Sequence, residues 1–313
     1  MNEISVFAPA TVANVGCGFD ILGLCLENIG DEMTVSRNDS GKVTISRIEG
    51  AEGIPYEAEK NVAGAAVLAM ILALDNDSGF DIQITKKVKP GSGLGSSASS
   101  SAGAVYAVNK LMGDPFSPVE LVRFAMEGEK VASKKAHADN VAPSLYGGFV
   151  LIRSYDPLDI IEIPYPDDLY VVVAYPQVEV KTSDAAQMLK KQVKMNDAIT
   201  QWGNVAGLVA GLMKGDYPLI GRSMQDVIVE PIRSILIPCY EEAKIAALDA
   251  GALGFNISGS GPSVFAFCQS KGTAAEVKAA IEKVYQNEGV DTLFYTSGIN
   301  KKGTEVINKQ ASF

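Results

Sequence analysis

The chain has 313 residues, of which 47% are hydrophobic and 20% charged, with a formal net charge of −10. That length suits one large or two medium domains, since a domain usually holds roughly 100–200 residues. The acidic balance excludes a broad nucleic-acid surface, which needs clustered Lys and Arg, but leaves room for a nucleotide bound by backbone N–H groups at a helix end.

In chain order, strands are expected over 4–8, 33–37, 43–47, 80–85, 149–152, 169–175, 263–267 and 293–296. They show β-branched or aromatic enrichment or polar/apolar alternation. Helical periodicity covers 63–74, 97–111, 119–133, 183–191, 197–213, 239–249 and 274–286. The apolar run 62–74 stops at Asp75 and is shorter than the roughly 18 residues of a membrane span, so it reads as a buried helix. The N-terminus lacks the basic-then-apolar pattern of a signal peptide. The four cysteines, Cys17, Cys25, Cys239 and Cys268, form no C-x-x-C pair, and with the single His137 they make no metal-ligand cluster. A reduced cytoplasmic setting is the expectation. Strands come partly in pairs and helices partly in runs, which points to an α+β layered fold. The Pro- and Asp-bearing stretch 155–168 is the candidate domain junction, dividing the chain into 1–155 and 156–313.

The most informative segment runs Pro90-Gly91-Ser92-Gly93-Leu94-Gly95-Ser96-Ser97-Ala98-Ser99-Ser100. It lies between an expected strand and an expected helix. Its glycines allow positive φ and close approach of a ligand to the backbone. Successive N–H groups beside a positive helix end are what polyphosphate binding requires. Ser96 and Ser97 add hydroxyls able to reach phosphate or Mg²⁺. The order G-x-x-x-x-G-K is absent, so this is no Walker loop, and no G-x-S-x-G hydrolase elbow occurs. A looser dinucleotide fingerprint can be read from Gly93, but Asp114, the acid about 20 residues on, sits in a turn before Pro115. The plain alternative is a turn followed by a Ser-capped helix.

A second cluster holds Glu127 and Glu129, then His137, Asp139, Asn140 and Pro143. A carboxylate facing a phosphate loop makes sense with Mg²⁺ between them, because hard cations prefer oxygen ligands. Taken singly, each of these residues also fits an ordinary solvated or structural role.

Three stretches together carry a resemblance. They are Ala8-Pro-Ala-Thr-Val-Ala-Asn-Val-Gly-Cys-Gly-Phe-Asp-Ile-Leu-Gly-Leu, the loop from Pro90, and the segment containing Ile257-Ser-Gly-Ser-Gly-Pro-Ser-Val-Phe. The chain resembles the GHMP kinase superfamily, named for galactokinase, homoserine kinase, mevalonate kinase and phosphomevalonate kinase. The first stretch and His137-Ala-Asp-Asn-Val-Ala-Pro resemble the homoserine-phosphorylating branch in particular.

The resemblance implies a two-domain fold: an N-terminal half like the second domain of ribosomal protein S5 and a ferredoxin-like C-terminal half, with the site between them. It implies transfer of the γ-phosphoryl of ATP to the hydroxyl of L-homoserine, with Mg²⁺, by a homodimer that needs neither nucleic acid nor membrane. By position, Pro90 to Ser100 would hold the phosphates, Ser97 and Glu129 the metal, and Asn61 would lie near the adenosine. Asn14, Asp20, His137 and Asp139 would face the amino end, and Arg233 the carboxylate. Asn140 would orient the acceptor hydroxyl with no strong base, Thr182 would sit nearby, and the turn at Ser258 to Pro262 would form the floor. Asp20, Asp139 and Arg233 suit an amino acid electrostatically.

Two positions depart from the family pattern. Position 17 is Cys where many relatives have Pro. Ala186 stands where an Arg usually faces the substrate carboxylate, and Lys190, one helical turn on, is a candidate replacement. The alternatives are another small-alcohol kinase of the superfamily, such as a mevalonate type, or a sensor that binds ATP and ligand without transfer.

Overall fold

The computed structural model describes residues 2–74, 78–133, 137–180 and 187–307. The first sheet has seven strands. Its frame is β1 (Glu3–Ala13), β2 (Leu22–Asn38), β3 (Val43–Glu49) and, after helix α1 (Val62–Leu74), β4 (Gly79–Thr85). Helices α2 (Ser96–Leu111), α3 (Pro118–Ser133) and α4 (Ala138–Tyr146) follow, then the hairpin β5 (Phe149–Tyr155) and β6 (Leu158–Ile163). The strand β2 is long enough to change partners: Leu22 to Leu24 pair with β5, while Glu32 to Asn38 pair with β4. β3 and β4 run parallel, joined by the α1 crossover.

The second sheet is built from β7 (Tyr170–Pro176), then, after helices α5 (Met195–Lys214), α6 (Tyr217–Ser223), α7 (Glu230–Arg233) and α8 (Tyr240–Asp249), β8 (Gly254–Ile257) and β9 (Val264–Cys268). It is completed beyond α9 (Lys271–Asn287) by β10 (Thr292–Ser297), in the antiparallel order β10-β7-β9-β8. The last strand, β11 (Glu305–Val306), returns to the first sheet beside β1.

The cores explain the sequence patterns. Ile4, Val6, Met33, Val35 and Ile82 of the first sheet pack under α1 to α4. The other face, with Ala10, Val12, Leu22, Leu24 and Phe149, packs on Val171, Val173, Phe265 and Phe267 of the second sheet and on Leu208 of α5. The alternate residues Val172, Ala174, Val264 and Ala266 face α8 and α9. A strand buried on both faces reads as a continuous apolar run, which is why 170–175 shows no alternation. Helix α2 is buried on almost every side. Its Ser, Ala and Gly composition is the consequence, since only small side chains let sheet and neighbouring helices close around it.

Two expectations need correction. The stretch 155–168 is not a bare junction, because it contains β6, which pairs with β5 from Tyr155↔Leu158 to Phe149↔Ile163. Its sequence, Leu-Asp-Ile-Ile-Glu-Ile, has no strict polar/apolar alternation and lies between Asp- and Pro-bearing segments, so no strand signal stood out. The helix expected over 183–191 does not reach Lys190, which lies outside any helix and is exposed; Ala186 lies outside the described residues. The one-turn spacing that tied Lys190 to Ala186 therefore has no structural basis at Lys190. Helix α4 went unnoticed because it is short and contains Pro143. The proline has no N–H to give the Asp139 carbonyl. That carbonyl lies against Gly23 of β2, where an added Cβ would sit only 1.9 Å from it, so a bare Cα lets α4 press onto the sheet.

Candidate active site

The Gly-Ser loop leaves β4 and enters α2 through Gly95, whose φ of 64° places it in the left-handed region. No side chain caps the helix start and no acidic residue lies in its first turn. The amides of that turn are thus available to an anion. Glycine is required at 95 for a second reason: an added Cβ would meet Thr11 Oγ1 at 2.0 Å and Asn140 Oδ1 at 2.9 Å. The loop is strapped to both halves of the chain. Thr11 N donates to Leu94 O at 3.2 Å, and Ser258 Oγ donates to Gly93 O at 2.7 Å. At Gly93 an added Cβ would lie 2.6 Å from Ser258 O, so the turn at Ser258 to Pro262 closes directly on the loop.

The loop hydroxyls divide sharply. Ser97 is partly exposed and donates to Glu129 Oε2 at 2.9 Å. Ser96 is buried and donates to Val88 O at 2.7 Å. Ser99 donates to Asp31 Oδ2 at 2.9 Å and Ser100 lies against Lys86 and Asp31, both turned inward. Ser96, expected to offer a hydroxyl to phosphate or Mg²⁺, turns it inward, and Ser99 and Ser100 do the same: helical spacing carries all three to the sheet side of α2. Asn61 is likewise spoken for. It is buried, donates to Pro55 O at 2.8 Å and accepts from Ala63 N at 2.9 Å, so its side chain caps α1 instead of reaching outward.

Glu129, on α3, is buried beside the loop. Burial pushes its carboxyl up to about 7, opposed by the Ser97 hydrogen bond and by the charges of His137 and Lys86. Its sequence neighbour Glu127 is exposed and pairs with Lys130, so the two acids of that run have different fates.

Near the loop lies a cluster of charged residues. Asp139 is buried, burial raises it from 3.8 to about 6, and its Oδ1 accepts no hydrogen bond among the described residues. His137 Nδ1 lies 3.4 Å from Asp20 Oδ1 and 4.0 Å from Asp139 Oδ1, bridging the two carboxylates. Asp20 sits on a turn held by Asn14, which accepts from Asp20 N at 2.8 Å. Both have positive φ, 58° for Asn14 and 60° for Asp20, a conformation Asn and Asp tolerate better than most residues. Asn14 Nδ2 and Arg233 Nη1 converge on one acceptor, Gly259 O, at 2.8 and 3.3 Å. Arg233 is buried, lies over the Phe19 ring at 5.0 Å, and is shifted down by burial against the opposing charges of Asp20 and Asp226. Cys17 closes the same turn from below, donating to Ser223 O at 3.2 Å. Thr182 lies outside the described residues.

Thr11 and Tyr155 also join the site, although neither was a candidate from the sequence. Thr11 is fully buried on β1 and donates to Asn140 Oδ1 at 2.8 Å. Tyr155 donates to Asp20 O at 2.8 Å. A polar residue at a core position of a strand was the available signal for Thr11; Tyr155 gave none.

Comparison with known proteins gives the family. Models of the GHMP kinases match the chain twice, the N-terminal domain at residues 61–148 and the C-terminal region at 208–287. The chain belongs to the GHMP kinase family. It is 44% identical to the homoserine kinase of Chloroherpeton thalassium, over 98% of this chain and 100% of that protein. It is 40% identical to the homoserine kinase of Methanocella arvoryzae, over 99% of both. Among solved structures, the homoserine kinase of Cytophaga hutchinsonii superposes with a TM-score of 0.95 at 51% identity, over 98% of both chains. A mevalonate kinase of L. major shares the fold at 19% identity, with a TM-score of 0.69 over 94% of this chain and 95% of that one. The family assignment gives the two-domain GHMP fold expected from the resemblance. Among the described residues, no helix is long and apolar enough to cross a membrane.

Proposed function

We propose that this chain transfers the γ-phosphoryl group of ATP to the hydroxyl of L-homoserine, giving O-phospho-L-homoserine and ADP, a step toward threonine. The observation that carries the reading is the charge layout beside the open end of α2. Two carboxylates bridged by His137 stand opposite a buried arginine, with Asn140 beside the loop. An α-amino acid offers the complementary ammonium and carboxylate; a hydroxy acid such as mevalonate offers no cation to pair with Asp20 and Asp139. Names of relatives that match over the whole chain agree.

In this reading the amides of the loop and of the first turn of α2 take the phosphates. Ser97 and Glu129 would hold Mg²⁺. Their oxygen donors suit that ion, and two protein ligands are enough where substrate phosphates and waters supply the rest. Among the described residues no group of three or more His, Cys, Asp or Glu side chains could hold a metal unaided, which fits an ion shared with the nucleotide. When bound, it would neutralise charge on the phosphate oxygens. Asp20 and Asp139 take the ammonium, Arg233 the carboxylate, and Asn14 lines the same end. Asn140, fixed by Thr11, orients the acceptor hydroxyl. The hydroxyl oxygen bonds to the γ-phosphorus as the bond to the β–γ bridging oxygen breaks, and the hydroxyl proton passes late to an oxygen of the transferred phosphoryl group, so no strong base is needed. Thr182 belongs to the same proposal.

A homodimer and a cytoplasmic setting complete the reading, with the division expected at 155/156 moved beyond β6, because that strand pairs with β5 in the first sheet. A coupled ADP-release assay on homoserine, threonine, serine and mevalonate tests it. Turnover with homoserine well above the others is expected. Preference for mevalonate would assign a different kinase, and ATP binding without turnover on any of them would make the chain a sensor.

A further inference from the structure

Beneath the phosphate loop lies a fully enclosed ion pair between Asp31 of β2 and Lys86, the residue that follows β4. A lysine a few residues before a glycine-rich loop invites the reading that its ammonium reaches the phosphates, as a lysine in other nucleotide loops does. The geometry says otherwise. An ammonium has three donors and no acceptor. Lys86 Nζ contacts Asp31 Oδ2, Ser96 O at 2.6 Å and Ser100 Oγ at 2.9 Å, so each donor has a protein acceptor. The side chain is 2% exposed and that of Asp31 is wholly buried.

Asp31 completes the arrangement from the other side. Its Oδ1 accepts from Lys87 N at 2.9 Å and Val88 N at 3.1 Å, at the entry to the loop. Its Oδ2 accepts from Ser99 Oγ at 2.9 Å, at the exit. Entry and exit are therefore tied to one neutral pair. We infer that Asp31 and Lys86 form a clasp that closes the base of the loop and sets the first turn of α2, and that Lys86 is a positioning residue and not a phosphate ligand. The same clasp explains why Ser99 and Ser100 face inward: they are its partners on the helix.

The pair is held by mutual neutralisation inside the protein, so removing one member leaves the other charged and buried, whereas removing both charges does not. A phosphate ligand would behave differently, because its loss could not be repaired by a change at Asp31.

The inference rests on the proposed ATP site, and the test separates the two. ATP affinity is measured by equilibrium titration with a fluorescent ATP analogue and competition by ATP, with circular dichroism as the check on folding. Failure of the wild-type chain to bind ATP would overturn the proposed function. Given wild-type binding, Lys86→Met should weaken ATP at least tenfold or fail to fold. The double variant Asp31→Asn/Lys86→Met should fold and return to within about threefold of wild type. A double variant that folds but binds ATP as poorly as Lys86→Met would overturn the clasp and make Lys86 a ligand. Ser100→Ala removes one clasp contact with little risk to folding. It should weaken ATP several-fold with KM for homoserine unchanged, and wild-type ATP affinity in Ser100→Ala would also overturn the clasp, even if the double variant does not fold.

Discussion

The hydroxyl of Thr11 donates to Oδ1 of Asn140 at 2.8 Å, joining the end of β1 to the first turn of α4. The contact decides which end of the amide is left to act. With Oδ1 occupied by a donor, Nδ2 is the group that can donate to an acceptor oxygen, and an amide donor can orient a hydroxyl without removing its proton. Thr11→Val keeps the shape and deletes the donor. We expect kcat to fall about tenfold, the scale of one net hydrogen bond, with KM for ATP little changed. A kcat equal to wild type would mean that Asn140 needs no such support.

Glu129 faces Ser97 across 2.9 Å. If the pair holds Mg²⁺, Glu129→Gln should lower kcat by at least about a hundredfold, the scale of a lost electrostatic contact to the transition state. ATP binding should fall far less, because the loop amides remain. Normal turnover in this variant would remove Glu129 from the site.

In the proposed function Asp20 pairs with the substrate ammonium. Asp20→Asn should raise KM for homoserine at saturating ATP and leave KM for ATP alone, as expected for a contact made already in the ground state. If KM for homoserine stays at its wild-type value in a folded variant, Asp20 serves the turn and not the ligand.

Asp139 costs stability in the free protein. Its folded-state value of about 6 lies above the ordinary 3.8, because burial disfavours the charge. The folded form therefore binds a proton more readily than the unfolded chain does. The favourable contribution is present below pH 3.8 and is lost as pH rises through about 6. The gap corresponds to about 3 kcal/mol at pH 8. Asp139→Asn should accordingly raise Tm at pH 8, with the difference from wild type shrinking toward pH 4, and should impair homoserine binding at both. Equal destabilisation at the two pH values would contradict this account.

Much of this protein was determined by sequence alone. The Gly-Ser run between strand and helix, the absence of a Walker lysine and the order of the stretches at Ala8, Pro90 and Ile257 carried the family and led to the proposal of a phosphate loop. They are legible because local backbone needs, such as positive φ at Gly93 and Gly95 and an open helix start, restrict residue choice at adjacent positions. The direction of each side chain was a tertiary matter. Ser97 and Ser99 are two residues apart, yet one meets Glu129 and the other is buried on Asp31. Asn61 stands at a helix start, where a ligand contact and a cap look alike in sequence, and the fold made it a cap. Thr11, Asp31 and Tyr155 gained their roles only when β1, β2 and β5 were brought against α2 and α4. Long-range contacts of this kind depend on how layers close on one another, and the chain's local pattern does not encode which buried polar groups will meet.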